Sequence, residues 1–145
     1  MNDLITLLYE RWFDYNDYSN LLGIVYDSKD FGILGWGLIL LALIALLVFY
    51  KFWDPIEGQR FKWIISLFIN TVFSFGFCYL LLYNNQGLIE AITNHEEGLG
   101  VNPEYFILRM AAISALYALV LAIVFCIFPL PIRYFSTNNN KLKIV

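Results

Sequence analysis

His95, the only histidine of the chain, stands beside Glu96 and Glu97. An imidazole with two carboxylates can hold a metal ion or relay protons. Zinc sites, however, need at least three protein ligands in a fixed array, and a helix points consecutive residues in different directions. A solvated acidic loop is the plainer reading. Cys78 and Cys126 are the only thiols. They fall near opposite ends of two different hydrophobic segments, beyond the roughly 7 Å between Cα atoms that a disulfide tolerates, and read as small packing residues. With one histidine and no glycine-rich phosphate loop or paired carboxylates within the apolar segments, no catalytic residue, cofactor or metal is expected.

Two polar side chains in apolar surroundings remain. Arg109 stands about one turn into the third apolar segment. It either pairs with a glutamate to mark a ligand site or, the reading preferred here, snorkels to the membrane edge with Tyr105 as the ring it lies against. Asn70 stands among phenylalanines in "SLFINTVFSFGFC". An unsatisfied amide in hydrocarbon costs several kcal/mol, so it needs a partner: Tyr117, a backbone carbonyl, or another chain. The expectation adopted is a neighbouring subunit.

Asn70 lies within a segment without charge and Arg109 borders one. Of the 145 residues, 60% are apolar and 19% aromatic, and the mean hydropathy is +0.65. No Asp, Glu, Lys or Arg occurs between Asp30 and Lys51, Lys62 and Glu90, or Arg109 and Arg133, gaps of 20, 27 and 23 residues. A helix needs about 20 apolar residues to cross the bilayer. The chain therefore reads as an all-α integral membrane protein of one domain. It has an outer interfacial segment 1–30, transmembrane helices over 34–52, 63–83 and 105–128, an inner loop 53–62, an outer loop 84–104 and a cytoplasmic tail 129–145. A soluble bundle would repeat charges along an outer helical face, and these segments do not. Trp36, Trp53, Trp63, Tyr83 and Tyr105 fall at the proposed ends, where amphipathic rings favour the headgroups.

Six of the nine basic residues, Lys51, Arg60, Lys62, Arg133, Lys141 and Lys143, share one side with two acids, for a net +4. The other side carries ten acids and three basic residues, for a net −7. Basic loops stay in the cytoplasm, so the amino terminus is expected outside and the carboxyl terminus inside. A retained amino terminus is also expected, because Asp3, Glu10, Asp14 and Asp17 stand where a leader would be basic and then apolar. No Asn-x-Ser/Thr sequon occurs, which fits a bacterial inner membrane. The short basic tail is too small a surface for nucleic acid.

"NDLITLLYERWFDYNDYSN" reads as one amphipathic helix lying flat on the outer surface, with Asp3, Thr6, Glu10 and Asp14 on one arc and Leu4, Ile5, Leu7, Leu8 and Trp12 on the other. "QGLIEAITNHEEGLG" can form a short interfacial helix with Leu88, Ile89 and Ile92 on one side. Pro55 and Pro103 suit first helical turns, capped by Asp54 and Asn102, and Pro129 and Pro131 end the third segment.

Ser66, Asn70, Ser74 and Cys78 recur every fourth residue, as do Ser114, Ala118, Ala122 and Cys126. Such ridges let two helices approach closely, so these eight residues are the expected helix-packing or subunit interface, with Asn70 facing Ala122. The leucine-rich first helix is expected to face more lipid. Trp12, Asp14, Asp17, Glu96, Glu97 and Arg109 are the candidate outer contacts for partner proteins. The expected partners are lipids and other membrane subunits or further copies of the chain. The expected role is a non-catalytic scaffold or anchor in a secretion, transport or respiratory assembly. A homo-oligomeric channel or holin-like pore lined by Ser66, Asn70 and Ser74 and a membrane-embedded inhibitor or immunity factor are the alternatives.

Overall fold

A computed structural model describes residues 1–13, 15–49, 59–93 and 103–127. They form six helices: α1 (Asn2–Glu10), α2 (Tyr15–Asp27), α3 (Asp30–Leu47), α4 (Gln59–Tyr83), α5 (Gln86–Thr93) and α6 (Pro103–Ile127). Three of these are long and apolar enough to cross a bilayer, over Asp30–Leu47, Phe61–Tyr83 and Tyr105–Phe125. The chain is an all-α membrane protein with three spans. The expected caps and breakers Asp54, Pro55, Asn102, Pro129 and Pro131 lie outside the described residues, whereas Pro103 is the first residue of α6.

The described chain divides into two compact units, Met1–Gly37 with Phe75–Ser114 and Leu38–Ser74 with Ala115–Val145. In the first unit, three short helices gather around the amino-terminal turns of α3 and α6 and the last turns of α4. The expected single opening helix is two. After Glu10 the chain tightens, with Trp12 N–H donating to Tyr9 O at 2.9 Å and Phe13 N–H to Glu10 O at 3.3 Å. Phe13 turns inward against Tyr18 and Phe106, with ring centroids 5.0 and 5.1 Å away. Packing of this ring rewards the break more than another turn of helix would.

Thr6, which periodicity groups with Asp3 and Glu10, packs against the protein together with Tyr9, while Leu4, Leu7, Leu8 and Trp12 are exposed. Thr6 satisfies its hydroxyl within the helix, donating to Asn2 O at 2.8 Å, which makes it acceptable in a packed face. Tyr9 stacks obliquely on Phe31, with centroids 5.6 Å apart. Leu88, buried, anchors α5.

The α2–α3 junction turns through Lys29, whose φ of 63° is left-handed. That conformation costs a residue with a Cβ about 1–2 kcal/mol. The turn is held by Ser28 N–H on Ile24 O and Lys29 N–H on Tyr26 O. It is also tied by Asn85, whose amide donates to Asp30 Oδ2 at 2.6 Å and Ser28 Oγ at 2.9 Å, while its oxygen accepts the N–H of Leu88 at 3.2 Å. One side chain thus starts α5 and fixes the start of α3, where the helix dipole favours the Asp30 carboxylate.

The buried positions of α4 are Asn70, Ser74, Cys78 and Leu82, every fourth residue and no others among those described. Its most apolar stretch is 17% buried, against 33% for α3 and 44% for α6. The least buried span within the chain is therefore α4 and not the leucine-rich α3. A helix that offers its neighbours only one narrow ridge of small side chains presents its phenylalanines elsewhere.

Candidate functional site

The polar side chains buried in the two units are the candidates for function, and most of them act as fasteners. In the first unit the Tyr9 hydroxyl lies 2.6 Å from Ser114 Oγ, and Ser114 Oγ donates to Met110 O at 2.8 Å. Serine has one hydroxyl proton. Since it goes to Met110, Tyr9 is the donor in the first bond. The Cys78 thiol also meets Ser114. This brings together one member of each small-residue ridge, Cys78 and Ser114, with a tyrosine that periodicity placed at no site.

Arg109 reaches neither Tyr105 nor a described glutamate. Its guanidinium lies 5.0 Å from the centre of the Phe13 ring and donates from Nη2 to Trp12 O at 2.7 Å. The ring expected to receive it was one turn back on its own helix. The actual one comes from the turn after α1, because that turn exposes carbonyls at the negative end of a helix dipole, where a cation is stabilised. Asn2 makes a second fastener, donating to Tyr26 O at 3.1 Å and accepting from Gly32 N–H at 3.0 Å. Tyr26 donates to Asp3 Oδ1 at 2.6 Å. That hydrogen bond, followed by the Asp3 charge, raises the Tyr26 pKa above its ordinary value.

In the second unit Asn70 is 3% exposed and donates from Nδ2 to Ala118 O at 3.3 Å. The amide is satisfied by a backbone carbonyl of its own chain, so the ground for assigning it to a neighbouring subunit falls away. The contact is also one turn from Ala122, the residue expected opposite it. Ala122 instead lines a small hollow with Ser66 and Asn70. Ser74 is 0% exposed, and its hydroxyl is the one buried side-chain polar atom among the described residues without a hydrogen-bond partner. A half-open apolar cleft of about 250 Å³ lies between α3 and α4, lined by Leu41, Ile44, Ala45, Val48, Ile69 and Phe73 with Ser66 and Asn70 at its edge.

Among the described residues no three of His, Cys, Asp and Glu come together as a metal site. His95, Glu96, Glu97 and Asp14 lie outside the described residues, as do the side chains of Asp17 and Cys126. Of the candidate partner contacts, Trp12 is exposed and Arg109 half-buried. The sequence signal that could have found Tyr9, Asn2 and Asn85 is weak, since each is a lone polar residue near a helix end. Only their pairing across long separations makes them a network. Comparison with protein families, curated proteins and solved structures finds no match.

Proposed function

We propose that the chain is a non-catalytic integral membrane subunit that scaffolds or anchors a multi-protein assembly of the secretion, transport or respiratory kind. The observation that carries this reading is the inward position of Asn70 and Ser74. A homo-oligomeric pore would need this ridge to face a water-filled lumen, whereas Asn70 is spent on Ala118 O and Ser74 is fully covered within one chain. The polar groups hold the chain to itself. The surface left for others is apolar and aromatic, led by Phe61, Phe68, Phe73 and Tyr83 on α4. In lipid, association of such a surface relies on packing, which suits a fixed position among other helices.

The charge asymmetry supports an orientation with the amino terminus outside and the basic tail in the cytoplasm of a bacterial inner membrane. Photocrosslinkers at Phe68 and Tyr83 test the reading in native membranes, alongside dye retention by liposomes holding the chain alone. Discrete crosslinks to other membrane proteins and intact liposomes are expected. Dye leakage with crosslinks only between copies of the chain would replace the scaffold with a pore.

A further inference from the structure

The structure fastens α1 at two places whose depth can be read from the sequence. The Ile5 side chain occupies the space that a Cβ on Gly35 would need, with Cγ1 only 2.7 Å from that position. Tyr9 is bonded to Ser114. Gly35 lies five residues beyond Asp30 on α3, and Ser114 lies five residues beyond Arg109 on α6. Asp30 and Arg109 are the last of the Asp, Glu, Lys and Arg residues before the uncharged runs of their helices, and charged groups mark the edge of the hydrocarbon. At 1.5 Å per residue, both fasteners lie about 7 Å inside that edge.

The angular order of α1 agrees with this depth. At about 100° per residue, Asn2, Thr6 and Tyr9 share the face toward the protein, and Leu4 and Leu7 lie opposite them. Asp3 and Glu10 take one flank, and Ile5 and Leu8 take the other. Asn2 meets Gly32 whereas Ile5 meets Gly35, one turn deeper. Asp3, on the flank away from Ile5, is held by Tyr26 at the end of α2. The acidic flank therefore faces the headgroups and the Ile5–Leu8 flank faces the membrane interior. Leu4 and Leu7, 60% and 64% exposed, face sideways.

We infer that α1 is sunk sideways into the leaflet that holds the amino-terminal ends of α3 and α6, with Leu4 and Leu7 against lipid acyl chains. The exposed surface of α3 at Ile33 and Trp36 continues at this depth, so the occupant of the leucine face is the bilayer. Polar fasteners on the inner face explain why a helix with Thr6 and Tyr9 buried still tolerates hydrocarbon outside it. Their groups are paired within the protein.

The test uses the full chain in lipid bilayers. Single cysteines replace Asp3, Leu4, Leu7 and Glu10 in turn, in a background carrying Cys78→Ala and Cys126→Ala, and are spin-labelled. Positions 4 and 7 should collide with oxygen in preference to a water-soluble nickel chelate, and positions 3 and 10 should show the reverse. As a second measurement on the unsubstituted chain, a carbene reagent borne on a lipid acyl chain should label residues 4–8. Nickel preference at 4 and 7, exclusion of both reagents there, or no carbene labelling of residues 4–8 would overturn the inference. Gly35→Leu, which fills the space that Ile5 occupies, should weaken the oxygen preference at both leucines. An unchanged preference would contradict the role of the α3 fastener. Failure of the subunit reading, seen as a chain without protein neighbours, leaves this collision pattern unaltered.

Discussion

Tyr9 and Ser114 stand 105 positions apart in sequence and share a buried hydrogen bond of 2.6 Å in which the phenol donates. The bond joins a nine-residue helix to the α6 membrane span. Its two ends are not equivalent. Tyr9→Phe leaves Ser114 its own bond to Met110 O and should cost about 1 kcal/mol. Ser114→Ala withdraws the acceptor from a hydroxyl on a residue only 1% exposed and should cost more, about 1–3 kcal/mol. Removing both should cost less than the sum of the two, measured by reversible unfolding in detergent.

On α4 the two polar neighbours should respond in opposite directions. Asn70→Ala loses the bond to Ala118 O and should destabilise by about 0.6–2 kcal/mol, the range measured for interhelical polar contacts in membranes. Ser74→Ala removes a buried hydroxyl that has no partner and should be neutral or stabilising by about 1 kcal/mol. Thermal unfolding in one detergent ranks the two variants.

Arg109→Lys keeps the charge but gives up the planar group that lies over Phe13 while bonding Trp12 O. A loss of about 1 kcal/mol is expected. Faster hydrogen exchange should be confined to the turn at residues 11–13. Equal exchange in the two proteins would show that the guanidinium does not hold this turn.

Tyr26 provides a dependence on pH. Its raised pKa means that the folded state keeps the phenolic proton after the unfolded state has released it. The contribution to stability is therefore complete below about pH 10 and is lost as the pH rises through the folded-state value. Asp3→Asn removes the charge that repels the phenolate, so Tyr26 should ionise closer to the ordinary tyrosine range, followed by ultraviolet titration.

The three spans were legible because absence of charge over 20 residues or more leaves few alternatives to a membrane crossing. The ridge at Asn70, Ser74 and Cys78 was legible as a four-residue period, and all three are buried. The contact of Thr6 with the protein was not. Periodicity weighs each residue by polarity, and it grouped Thr6 with the acids without knowing that the hydroxyl bonds Asn2 O. Nor can spacing reveal that Arg109 prefers a carbonyl and ring from a segment 97 positions away to a tyrosine one turn back. A backbone carbonyl was one of the three partners open to Asn70, but spacing alone does not select it over another chain, nor reveal that a small residue such as Ala118 leaves its carbonyl accessible.

Three crossings would place the two ends of the sequence on opposite sides of the bilayer, and this can be measured directly. Impermeant labelling of single sites at the amino terminus, at Gly58 and at the carboxyl terminus, in sealed vesicles of known orientation, should mark Gly58 and the carboxyl terminus together and the amino terminus on the other face. Labelling of both termini from the same face would contradict the account.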